Sequence, residues 1–159
     1  MKIVIVILIL SFNIFPQDDI RNKFFIGIVA GNPINVIATA GVFLKDFGIR
    51  LSGGVWLYKR YGIQADYSYI LFQDNSFQHR ISFFSAYSHN RKVPTNAFFY
   101  YVFHTEPEID FEYVNSFYCG IAYNFIWKGV FIQAGPAWGT GNFKNARLIG
   151  QVGYIHIFE

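Results

Sequence analysis

Residues 47–72 read FGIRLSGGVWLYKRYGIQADYSYILF, two runs in which the residue type alternates at every step. From Phe47 the odd positions are Phe47, Ile49, Leu51, Gly53, Val55 and Leu57, against Gly48, Arg50, Ser52, Gly54, Trp56 and Tyr58 at even ones. From Tyr61 the odd set is Tyr61, Ile63, Ala65, Tyr67, Tyr69 and Leu71, and the even set begins Gly62, Gln64, Asp66 and Ser68. Successive side chains of a strand point to opposite faces. Each run is therefore a strand with one bulky apolar face and one face of small and charged residues. Phe111 to Trp127 repeats the pattern, with Glu112, Ser116, Gly120, Ala122 and Asn124 on its even face.

The rest of the chain is punctuated at intervals of roughly ten residues by turn signals. They fall at Lys45-Asp46, Tyr58-Lys59-Arg60, Gln73-Asp74-Asn75, His89 to Asn96, Thr105 to Asp110, Lys128-Gly129 and Gly139 to Ala146. Between them lie runs rich in Phe, Tyr, Ile and Val, which suit a pleated surface. The expected strands are roughly 24–31, 35–44, 47–57, 61–72, 77–88, 97–104, 111–127, 130–138 and 147–158. Nine is odd, whereas bacterial single-chain barrels have even strand numbers. Either 24–31 does not pair fully or one break is false, and the expected fold is an all-β, antiparallel up-and-down transmembrane barrel of about eight strands (eight to ten). Phe24 to Leu44 carries no charge over 21 residues, but Asn32-Pro33 and Asn35 at its centre break a spanning helix. It reads as two strands meeting at a turn.

Composition narrows the function classes. The chain has 159 residues, 14% charged and 21% aromatic, with a net charge of +3. Disorder needs the opposite bias, and the length is about one domain. The single Cys119 excludes a disulfide scaffold. With 13 Lys and Arg against 10 Asp and Glu, no basic excess points to nucleic acid. At the N-terminus Lys2 precedes the apolar run Ile3 to Leu10, the layout of a secretory signal. Residues 1–17 are expected to be that signal and 18–159 a single barrel domain.

Alternation alone does not say which face is outside. A soluble barrel hides its greasy face, and a membrane barrel turns it to lipid. Three features favour the membrane: the small and charged face carries Gly and Ala in place of Lys and Glu, aromatics gather near strand ends (Trp56, Tyr58, Tyr61; Tyr123, Phe125, Trp127), and the signal supplies the route. The outward set then includes Ile49, Leu51, Val55, Ile63, Phe117, Ile121, Phe125, Val130 and Ile132.

In this pattern the chain resembles the small outer-membrane β-barrel proteins of Gram-negative bacteria, of the OmpA and OmpX type. The last strand, Leu148 to Glu159, carries the nearest thing to a motif, with Tyr154 and Phe158 in the alternation and Glu159 after the Phe. The resemblance implies outer-membrane localisation, a lipid bilayer partner, and recognition of the C-terminal strand by the barrel-assembly machinery.

No motif points to catalysis, a cofactor or a metal. His79, His89, His104 and His156 have no ligand spacing. Ser88-His89 and His79 with Ser82 have opposite parity and cannot form a dyad along a strand. Cys119 shares parity with Phe117 and Ile121 and reads as a small apolar residue. The expected function is an outer-membrane barrel of structural or surface-contact type with a side-chain-filled lumen, not an enzyme. The alternatives are a secreted soluble barrel binding a hydrophobic ligand and a lipid-modifying outer-membrane enzyme. His89 to Asn96 and Gly139 to Ala146 are the candidate contact loops.

Two local expectations follow. Lys128-Gly129 should be a two-residue hairpin turn, setting Trp127 against Val130, Phe125 against Ile132, Asn124 against Gln133 and Ala122 against Gly135. Arg50, Asp66 and Arg80 should form a lumen ion-pair cluster, with Glu112 the candidate fourth member. A turn centred near residue 59 places Arg50 opposite Ser68, and one near Asp74 places Arg80 opposite Ser68 also, with Asp66 diagonal to both.

Overall fold

The computed structural model describes residues 23–32, 36–56, 60–74, 76–91 and 112–158. Eight strands run up and down: β1 (Lys23–Asn32), β2 (Val36–Leu44), β3 (Phe47–Trp56), β4 (Arg60–Asp74), β5 (Phe77–Arg91), β6 (Tyr113–Trp127), β7 (Val130–Gly139) and β8 (Arg147–Ile157). Each pairs antiparallel with its neighbour, and β1 pairs with β8 from Phe25 with Ile157 to Asn32 with Gly150, closing the barrel. The first expected strand is thus fully paired. The expected strand 97–104, like the signal 1–17, lies outside the described residues.

Turn chemistry sets the hairpins at one end of the barrel. Lys128 and Gly129 both take positive φ, 47° and 85°, which a primed two-residue turn demands and Gly tolerates without a Cβ penalty. Trp127 faces Val130, Phe125 faces Ile132 and Asn124 faces Gln133, and the same register reaches Tyr118 opposite Gly139. Lys45 and Asp46 form another two-residue turn, with Leu44 facing Phe47 and Lys45 at φ 45°.

Periodicity of two sorts every strand into an outer and an inner set. Outside stand large apolar residues, led by Val55 at 83%, Leu148 at 73% and Phe24 at 69% exposure. Ile49, Leu51, Ile63, Phe117, Ile121 and Ile132 are exposed on the same face, and Phe125 and Val130 are half-buried beside them. The soluble-barrel alternative required this greasy face to turn inward, and it does not.

Inside, eight strands leave an interior just wide enough to be filled by side chains. Two apolar clusters occupy it. Toward the turn end lie Phe25, Phe43, Ile126, Phe131, Ile155 and Ile157 with Val29 and Ile37. Toward the loop end lie Phe84, Ala86, Tyr118, Ala122, Ala137, Phe143 and Ile149. Along β6, β7 and β8 the buried Asn124, Gln133 and Gln151 separate the two clusters.

Two details depart from the sequence expectations. Gly139 to Ala146 is not simply a free loop tip: a short 3-10 turn, Gly141–Phe143, buries Phe143 and stacks its ring on Tyr118 at 4.0 Å. His89 belongs to β5 instead of a loop, and residues 92–96 lie outside the described residues.

Candidate functional site

Strands β3 and β4 bring Arg50 and Asp66 directly opposite each other. This corrects the expected register by two residues, since Ser68 faces Gly48 instead. The salt bridge between Arg50 Nη2 and Asp66 Oδ2 measures 3.0 Å, and Arg50 Nε donates to the same oxygen at 3.0 Å. Both side chains are about 5% exposed. A buried ion pair needs further hydrogen bonds to offset the loss of hydration, and amide side chains supply them here.

Those amides come from across the barrel. Arg50 Nη2 donates to Gln133 Oε1 at 2.7 Å and to Gln151 Oε1 at 3.2 Å, reaching from β3 to β7 and β8. Asp66 Oδ1 accepts from Gln133 Nε2 at 2.8 Å and from Gln64 Nε2 at 3.0 Å. Gln151 Nε2 closes the circuit on Gln64 Oε1 at 2.8 Å. Strands three and seven are diametrically opposed in an eight-stranded ring, so the belt spans the lumen and ties its two walls together. Sequence reading found the charges by parity. It missed the three glutamines, whose inward parity was legible but whose meeting across the ring was not.

Arg80 sits apart from this belt. A bulge between Ile70 and Phe72 shifts the β4–β5 register, so Arg80 faces Ile70 and Ser82 faces Ser68. Leu71 and Phe72 both point outward as a result. The Arg80 guanidinium, 1% exposed, donates from Nε to Ser68 Oγ at 3.0 Å, from Nη1 to Gln78 Oε1 at 3.0 Å and from Nη2 to the Asp46 carbonyl at 3.3 Å. Its Cζ lies 4.7 Å from the centre of the Phe43 ring. Gly48 makes room for it: a Cβ there would stand 2.9 Å from Arg80 Nη2. The structure thus does not join Arg80 to Asp66. Glu112 is exposed just before β6 and does not join the cluster either.

The histidines and serines weighed for chemistry fall on opposite sides of the wall. Ser82 and Ser88 are buried in the lumen. His79 stands on the outer face with Tyr123, its Nδ1 bonded to the tyrosine hydroxyl. His89 stacks between Tyr61 and Tyr113 and bonds Asn115 Oδ1 at 2.7 Å. Among the described residues no three His, Cys, Asp or Glu side chains gather as a metal site.

No protein-family model and no curated protein sequence matches the chain. Among solved structures it is similar to the N-terminal β-barrel domain of OprF from Pseudomonas aeruginosa, with a TM-score of 0.51 and 13% identity over 89% of this chain and 100% of that one. At that identity the likeness is one of fold: an eight-stranded antiparallel barrel, closed on itself.

Proposed function

We propose that this chain is an integral outer-membrane β-barrel of structural or surface-contact type, without catalytic activity, whose lumen is plugged by its own side chains. The observation that carries this reading is the inverted wall, with branched and aromatic residues exposed all round the ring and Arg, Asp, Gln and Ser buried inside. In water such an outer face far exceeds the few hundred square ångströms of contiguous apolar patch that soluble monomers tolerate. In lipid it is the expected arrangement, because a closed barrel leaves no backbone edge unpaired.

The route and the assembly signal belong to the same reading. Residues 1–17 serve as the cleaved secretory signal, and 18–159 form the barrel. The C-terminal strand, with Tyr154 and Phe158, engages the barrel-assembly machinery. The belt linking Arg50, Asp66, Gln64, Gln133 and Gln151 acts as a plug that braces the walls. Arg80 adds a second polar anchor nearer the turn end.

The test is heat-modifiable migration in detergent. A membrane barrel runs compact before boiling and slower after it, and the protein fractionates with outer membranes. Recovery in the soluble periplasmic fraction, with no change on boiling, overturns the reading. Steady conductance steps in planar bilayers would overturn the plug while leaving the membrane barrel standing.

A further inference from the structure

Two residues on the wall of one small cavity each carry a buried atom with no partner among the described residues. The cavity, about 20 Å³, lies in the lumen beside the Arg50–Asp66 pair, and Arg50, Ser68, Arg80 and Asn124 share its wall with the rings of Phe43 and Phe131. Arg50 Nη1 and Asn124 Oδ1 make no hydrogen bond. Arg50 is about 5% exposed, so this orphan donor is closed off from bulk solvent.

Charge points the same way. Among the described residues the buried ionised side chains are Arg50, Arg80 and Asp66, two cations against one anion, and the Asp46 carboxylate that attracts Arg80 stays exposed at the turn. A guanidinium does not give up its proton in a protein, and an uncompensated buried charge is costly. Asp66 also borders the cavity, but its oxygens already accept from Arg50, Gln64 and Gln133.

We propose that this cavity binds one small monovalent anion of the halide class, held by Arg50 Nη1 and by the surplus charge of Arg80. The volume admits a monatomic ion and is too small for a phosphate or sulfate. A half-turn of the Asn124 amide exchanges its orphan acceptor for an Nδ2 donor of nearly the same shape, completing the shell. A water molecule would suit Arg50 Nη1 and Asn124 Oδ1 as they stand, yet would leave the surplus buried charge answered only by the solvent-exposed Asp46 carboxylate. The proposal rests on the side-chain-filled lumen and not on where the barrel resides.

Bromide is the probe. Crystals of the detergent-solubilised full barrel grown in sodium bromide should show an anomalous peak between Arg50 and Arg80. In parallel, chloride is titrated against gluconate at constant ionic strength. The unfolding temperature should climb by a few degrees per tenfold rise in chloride once the site saturates, and Arg80→Met should lose that slope. Should Arg80→Met fail to fold, the wild-type crystal decides alone. No bromide peak, or identical melting in chloride and gluconate, overturns the anion site and leaves a water in its place. Heat-modifiable migration is read on the same samples, so failure here is distinguishable from failure of the membrane reading.

Discussion

Arg50 and Arg80 are buried in the same lumen and are held in opposite ways. Arg50 faces a carboxylate and is tied through Gln133 and Gln151 to the far wall. Arg80 has a hydroxyl, an amide oxygen, a backbone carbonyl and the face of Phe43. The first arrangement stabilises charge by opposite charge, the second by dipoles and a ring quadrupole. Removing a partner therefore costs most where it strands a full charge, and less where it strands only dipoles.

The largest expected effect tests the Arg50 side. Asp66→Asn leaves the Arg50 guanidinium buried without its anion and presents an amide to donors from Gln64 and Gln133. The expected loss is about 3–5 kcal/mol, read as a lower temperature at which the compact form disappears in detergent. A variant as stable as the parent would break the comparison outright. Gln133→Leu comes next, because Arg50 and Asp66 both lose their link to β7 while their own bond survives. About 2 kcal/mol is expected by urea titration in micelles.

Arg80→Met sharpens the other side. It strands Gln78 Oε1 and the Asp46 carbonyl but no carboxylate, while Ser68 keeps its bond to the Gly48 carbonyl. A loss of about 1–2 kcal/mol follows. A loss as large as that of Asp66→Asn would show that Arg80 leans on a carboxylate after all. Smallest is Gly48→Ala, whose Cβ meets Ser68 Oγ at 2.7 Å and Arg80 Nη2 at 2.9 Å, both ends of side chains able to shift. It should cost about 1 kcal/mol, and combined with Arg80→Met it should cost less than the sum of the two, because the part of the clash made with Arg80 is then relieved.

Much of this was legible because it is local. The inward parity of Arg50, Asp66 and Arg80 and the outward parity of Ile49, Leu51 and Ile63 follow from the two-residue period of a strand. The Lys128-Gly129 hairpin register follows from two positive φ angles and the length of the turn. Where the connection was longer, across 57–59, the register slid by two residues and the partner of Arg50 changed from Ser68 to Asp66. Phe143 shows the same limit: its place against Tyr118 depends on a loop returning to another strand.

The faces of the strands and the tight turns are written in the chain itself, since each rests on residues within a few positions of one another. Which side chains meet inside is a property of the closed barrel. The turn that sets Asp74 against Phe77, together with the bulge at Ile70 and Phe72, brings Arg80 opposite Ile70 and four residues from Asp66, and closure of β1 on β8 brings Gln133 and Gln151 across the ring to Arg50. A strand's alternation states only that a side chain points inward. Which inward side chains touch depends on registers summed around all eight strands, and one extra residue in any of them moves every contact downstream.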